Sequence, residues 1–278
     1  MDMPNLAIVA GTGDLPKLLA DHCDRIGRGY HIVQFEGVEL NWAGGKSVIP
    51  AKFEKPDKLF KSLKKAECGQ VVFAGAMQRP KLNPLKFDFK LMKLAPTLLP
   101  ALKKGDNGTL SLIAKIFEAE GFKVVAAHDI LNNLLGDIGP IGFIDPSNDD
   151  LADIQRGLKI LAAMSAVDVG QACIVGQGIC LGVETIQGSD AMLRYVAETK
   201  SNFLPDVDGA QGVFIKSFKL GQDKRMDMPT IGPKTIQNVA DAGLAGLAVL
   251  ADGVQVLHLD ECIELADGLG IFLTVVDR

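Results

Sequence analysis

Short apolar runs alternate with helical stretches over the first 135 residues, and this alternation narrows the possible folds more than any other feature of the chain. Residues 6–10 read as a buried strand. They run into Gly11-Thr12-Gly13-Asp14-Leu15-Pro16 and then a helix over 16–26. Asp14 can cap that helix, and a proline is tolerated in its first turn. Residues 30–35 read as a second strand, 57–66 as a helix with lysines outside, and 70–74 as a strand that ends at Gly75. A helix over 110–120 stops at Gly121, and 122–126 return as a strand. Strands separated by helices build a parallel sheet covered on its faces. The expected fold class is therefore α/β, with a Rossmann-like parallel-sheet domain over residues 1–135.

Residues 136–150 are rich in Gly, Pro, Asp and Asn and read as a linker. Residues 151–278 then read as a C-terminal mixed α/β domain. Its signals are a helix over 151–166 and two apolar runs, 172–175 and 179–184, joined through Gly176-Gln177-Gly178 as a hairpin. A helix over 190–198, a strand over 212–218 and a helix over 235–242 follow. Two runs, 244–250 and 254–257, flank Asp252-Gly253, and Asp260 is placed to cap a last helix before a strand over 271–276.

Composition excludes several classes. The formal charge is −5, so a general attraction to nucleic acid is not expected. No stretch is apolar and uncharged for long enough to span a bilayer, and the first residues lack the basic region of a signal peptide. The five cysteines are scattered and odd in number, which reads as reduced core residues of a cytoplasmic protein. One segment runs against the overall charge. Residues 81–104 hold six lysines among Leu, Phe and Met, with Asp88 their one acid. Such a stretch suits an anionic membrane surface or a lipid groove, or else an amphipathic segment folded onto its own domain.

The densest chemistry lies in Gln222-Asp223-Lys224-Arg225-Met226-Asp227-Met228-Pro229. Read as a strand, its period of two aims Asp223, Arg225 and Asp227 at one face and Met226 and Met228 at the other, with Pro229 ending the strand. Two carboxylates beside a guanidinium are what a divalent metal and a phosphate need together. A salt-bridged strand edge has the same spacing. Gly11 and Gly13, before a helix, are half of a dinucleotide fingerprint. They suit either a phosphate at backbone N–H groups or a plain tight turn. Arg79, just past a strand end, is placed to meet a phosphate or to cap a neighbouring helix. Asp106 or Asn107 reads as a plain N-cap, and Asp190 as an N-cap that could also contact a metal or a sugar.

Several of these segments occur together in one known family. Gly11 to Pro16, Phe73-Ala74-Gly75 with Arg79-Pro80, Lys104-Gly105-Asp106, and Val183-Glu184 through Asp190-Ala191-Met192 come in this order. Gln222-Asp223-x-Arg225-x-Asp227-x-Pro229-x-Ile231-Gly232-x-x-Thr235 and Ala242-Gly243-Leu244-Ala245-Gly246 complete the set. Over nearly its whole length the chain resembles the LpxI-type UDP-2,3-diacylglucosamine pyrophosphatases of lipid A biosynthesis. It departs from them at Lys219-Leu220, where the family usually has Lys-Pro. The resemblance implies a hydrolase dependent on magnesium, with another divalent cation an open alternative. It would cleave the diphosphate of UDP-2,3-diacylglucosamine to UMP and 2,3-diacylglucosamine 1-phosphate (lipid X). Asp227 would be the catalytic aspartate and, with Asp223, a metal ligand, while Arg225 would clamp phosphate. Gly11, Gly13, Arg79, Lys104, Asp106, Gln222, Gly232, Thr235 and Asp190 would contact the substrate. The expected location is cytoplasmic, peripheral at the inner membrane of a Gram-negative bacterium. The expected partners are the lipid-linked UDP-sugar, that membrane and, as an open option, a second copy of the chain. Two other readings are an NAD(P)-dependent oxidoreductase using the glycine turn, and a lipid or nucleotide-sugar binding protein without turnover.

Overall fold

The computed structural model describes residues 3–78, 80–104 and 106–277, without the side chains of residues 103, 104, 106 and 107. The chain divides into two units. Unit 1 holds residues 1–132 and 223–227, and unit 2 holds residues 133–222 and 228–278.

Unit 1 carries β1 (Asn5–Ala10), α1 (Leu15–Ile26), β2 (Tyr30–Phe35), β3 (Val48–Ala51), α2 (Pro56–Lys65), β4 (Cys68–Ala74), α3 (Phe89–Lys104), α4 (Asp106–Ala119) and β5 (Lys123–Val124). Its strands form a parallel sheet in the order β3-β2-β1-β4-β5. This is the arrangement of a doubly wound sheet, which places ligands at the carboxyl ends of β1 and β4, where the order reverses. The sheet forms because β1 and β4 are nearly continuous apolar runs, buried on both faces by helices. Phe60, Phe117 and Phe122 pack ring against ring beneath it. Helix α3 has no counterpart in the sequence reading, which gave residues 81–104 no regular element. Its two internal prolines, Pro96 and Pro100, are the reason, since proline normally breaks a helix.

Unit 2 carries β6 (Gly139–Pro140), α5 (Asn148–Ala166), β7 (Ala172–Gly176), β8 (Ile179–Val183), α6 (Ser189–Thr199), β9 (Val213–Lys216), β10 (Thr230–Ile231), α7 (Pro233–Asp241), β11 (Gly246–Leu250), β12 (Gln255–Val256), α8 (Leu259–Leu269) and β13 (Phe272–Val276). The six-stranded sheet β6-β13-β11-β9-β7-β8 is mixed. Strands β9, β11 and β13 run parallel, while β6, β7 and β8 pair antiparallel with their neighbours. Both faces of its central strands are buried, one against α5 and the other against α6, α7 and α8. Residues 136–150 are not a linker: they contain β6, paired with β13, and the first turn of α5. Ser147 caps α5 and Asp150 reciprocates, so the Asn/Asp-rich composition marks a helix start. Likewise β12 pairs with β10 and not with β11 across Asp252-Gly253. Residue 258 stands at the N-cap of α8, so Asp260 lies inside its first turn.

Candidate active site

Residues 223–227 form a turn of helix and not a strand. The N–H groups of Met226 and Asp227 both donate to the carbonyl of Asp223, at 2.9 and 3.1 Å. The Asp223 side chain folds forward onto the backbone N–H of Arg225 at 3.0 Å, a local closure that competes with strand formation. Met226 is buried in the core of unit 1, in the cluster that contains Val71, Phe117 and Val124. Pro229 therefore precedes a strand: its carbonyl accepts from Gln255 at 2.9 Å, where β10 begins beside β12. Met226→Ala is expected to cost about 2–3 kcal/mol through the cavity left behind, read as a lowered melting temperature.

Arg225 is held on two sides. Its Nε and Nη2 donate to the two oxygens of Asp223 at 2.9 and 2.7 Å, and Nη1 donates to Glu118 of α4 at 2.6 Å. Three of the five guanidinium N–H groups are thereby committed, which leaves two for an incoming anion. The side chain stays 39% exposed, enough for a ligand to reach it. Hydrogen bonds from Arg225 hold the Asp223 carboxyl below the usual carboxylate range, against a smaller opposing effect of burial. A depressed carboxyl stabilises the fold above its unfolded pKa and stops doing so as pH falls through the folded one. Asp223→Asn should therefore melt below the parent at neutral pH, and the gap should begin to narrow only as pH falls below about 4 and close below the folded pKa.

The chemistry of the donor set decides which of these groups fits a metal. Both Asp223 oxygens already serve the guanidinium, so Asp223 fits an anchor for Arg225 better than a ligand. Among the described residues no group of three or more His, Cys, Asp or Glu side chains is arranged to hold an ion. Magnesium is commonly bound through one or two carboxylates plus substrate phosphates, and the partly buried Asp227 fits that mode.

The two glycines of the first turn separate into different roles. The N–H of Gly11 donates to Ala74 at 2.7 Å and that of Thr12 to Ala76 at 2.8 Å, so two of the amides expected at a phosphate are taken by backbone carbonyls. A Cβ on Gly11 would stand 2.4 Å from the oxygen of Ala76, and one on Gly75 would stand 2.4 Å from the oxygen of Thr12. Gly11 thus lets the loops after β1 and β4 touch. Gly13 is set by its φ of +94° and is open around its Cα. Arg79 lies outside the described residues, as do the side chains of Lys104 and Asp106.

A second cluster forms in unit 2, at the starts of α6 and α7. Asp190 accepts from Lys234 at 2.6 Å and from Asn238 at 3.0 Å. Thr235 accepts from the Gly232 N–H at 3.4 Å, across the first turn of α7. Gly232 has an extended φ of −163°, which any residue adopts. Gln222 accepts from the Lys219 N–H at 3.2 Å, closing the turn ahead of Asp223. Near Asp190 lies a group of residues that the sequence reading did not select as a site. Lys216, at the end of β9, donates to the hydroxyl of Ser189 at 3.2 Å, and that hydroxyl donates to Glu184. Burial pushes the Lys216 ammonium pKa down, while Glu184 and Asp190 pull it back up. Gln171, next to the partner of Lys216 on β7, keeps a buried side-chain oxygen with no hydrogen-bond partner. A lysine closing the apolar run Val213-Phe214-Ile215 was the available sequence signal. The cysteines are all free; four are buried, burial raises Cys68 to about 11, and Cys180 alone is exposed.

Residues 5–134 match the family model described as the LpxI N-terminal domain, and residues 137–274 match the LpxI C-terminal domain. A protein of Caulobacter vibrioides, UDP-2,3-diacylglucosamine pyrophosphatase LpxI, is 35% identical over 278 residues, covering 99% of this chain and 98% of its own. Among solved structures, N5-carboxyaminoimidazole synthase from Aspergillus clavatus, in complex with ADP and 5-aminoimidazole ribonucleotide, covers 70% of this chain and 61% of its own. Its identity is 12% and its TM-score 0.24, too low to carry an argument. With both halves matched in order and a relative aligned along the full length, the chain belongs to the LpxI family.

Proposed function

We propose that this chain hydrolyses the diphosphate of UDP-2,3-diacylglucosamine in lipid A biosynthesis, giving UMP and 2,3-diacylglucosamine 1-phosphate. The observation that carries the reading is full-length identity to a protein named for cleaving that substrate. The geometry supplies the chemistry. Hydrolysis adds water at one phosphorus and breaks the P–O–P bond, so negative charge builds on the departing phosphate. Arg225, anchored by Asp223 and Glu118, offers its two remaining N–H groups to that charge without reorganising. Asp227, on the same turn, takes a proton from the attacking water or holds the cation. A bound divalent cation, magnesium before others, would neutralise diphosphate charge as a Lewis acid.

In unit 2, Lys216, Ser189 and the unpaired oxygen of Gln171 offer a cation, a hydroxyl and an acceptor, which suit a phosphorylated sugar. Lys216→Met is expected to lower kcat/KM about tenfold or more, chiefly through KM, in a UMP-release assay. An unchanged KM would make the lysine structural. Because the substrate's two acyl chains reside in a bilayer, the proposed site of action is peripheral, and the family resemblance suggests the cytoplasmic face of the inner membrane. No helix among the described residues is long and apolar enough to cross a membrane.

A further inference from the structure

The outward side of α3 is apolar where the free face of a surface helix is ordinarily charged. Phe89 is 68% exposed and Met92 54%, and on the same face Pro96, Thr97 and Pro100 are exposed as well. Just before the helix, Leu85 is 95% exposed in the short turn Pro84–Lys86. The one charged side chain described on the outer face of α3 is Lys93, which lies over the Phe89 ring at 4.4 Å from its centre. The inward side is ordinary: Leu91 is buried, and Lys90 pairs with Glu120.

Charge sorts the same way. Asp88, the one acid between residues 81 and 104, is turned inward and accepts from the N–H groups of Asp57 and Leu91 at 2.9 and 2.8 Å. Leu85 and Lys86 border a depression of about 810 Å³ that also presents Lys52, Lys55 and Lys58. Its two acids are engaged, Glu36 with Lys52 and Glu54 with the N–H of Asn83. Exposed aromatic and aliphatic side chains with lysines around them and the acid withdrawn complement a bilayer with anionic headgroups.

We propose that the outer face of α3, with Leu85 and Lys86 ahead of it, docks this protein on an anionic lipid surface. The apolar side chains enter the acyl boundary and the lysines meet the headgroups. The inference rests on the diacylated substrate proposed above, which must be collected from a bilayer.

Flotation of the full chain with vesicles tests it. The parent should float with vesicles of phosphatidylcholine plus phosphatidylglycerol, not with phosphatidylcholine alone, and added salt should release it. Phe89→Glu with Met92→Glu should lower the bound-to-free ratio about tenfold or more. Lys86→Gln with Lys93→Gln should lower it roughly 25-fold, about fivefold per lysine. All four side chains are exposed, so folding is preserved, and turnover on substrate dissolved in detergent should match the parent. The proposal is overturned if the parent ignores anionic vesicles or if the variants float as the parent does. A loss of detergent turnover through a raised KM overturns it too, because the face would then be a groove for the substrate's own chains. So does dissociation of a parent dimer with flotation unchanged, which would make it a contact between copies. Flotation without any cleavage of the sugar nucleotide would leave the docking intact and remove the enzymatic reading.

Discussion

Asp227→Ala is expected to lower kcat for UMP release by about 100-fold or more while the protein stays folded. The two acids of the turn are not equivalent. Asp223 spends both oxygens on the guanidinium of Arg225 and one of them also on the Arg225 N–H, so its removal releases the clamp. Asp227 contributes its backbone N–H to the same turn, and alanine keeps that bond. Met226 beside it stays buried in the core of unit 1. The substitution should therefore leave the turn and the Arg225–Glu118 contact in place. Single-turnover kinetics alongside a melting curve separate the outcomes. A slow chemical step with an unchanged melt fits a group acting in the transition state. A collapsed melt would return Asp227 to a structural role.

Gly11→Ala is expected to cost unit 1 about 3 kcal/mol of stability. The atoms that a new Cβ would meet are the oxygen of Ala76 at 2.4 Å and the backbone carbon of Gly75 at 2.7 Å. No rotamer can relieve a clash between a Cβ and a backbone. Relief would require pulling apart the paired N–H and carbonyl groups of Thr12 and Ala76. For a unit of this size the loss corresponds to a fall of about 10 °C in its melting temperature. Gly13→Ala is the internal control. It carries the left-handed φ but nothing stands within 4 Å, so only about 1 kcal/mol of backbone strain is expected. Equal losses at the two positions would mean that the contact between the loops is not what fixes Gly11.

These two sites also show how far the sequence could be read. Most of the parallel sheet of unit 1 was legible because β1 and β4 are apolar runs closed by Gly11 and Gly75, whereas β3, which no glycine closes, went unread. The hairpin of β7 and β8 was legible from Gly176-Gln177-Gly178, where Gln177 and Gly178 take left-handed φ values of 52° and 76°. The charged run at 223–227 stood out by its residue types, but its shape did not follow from them. A period of two fits a strand, yet an aspartate that bonds the N–H two residues ahead makes a turn from the same letters. Glu118 could not be foreseen, because its pairing with Arg225 spans 107 residues and depends on where Met226 is buried. Gly11 and Gly13 look alike in the sequence. Only the approach of the loop after β4 separates the packing glycine from the conformational one.

The most direct test is to incubate the purified parent with UDP-2,3-diacylglucosamine and magnesium and identify both products by mass spectrometry. The account predicts UMP and 2,3-diacylglucosamine 1-phosphate in equal amounts, with the reaction abolished by a chelator and restored by the metal. Release of UDP with unphosphorylated sugar lipid, or no turnover by a folded and metal-supplied protein, would contradict it.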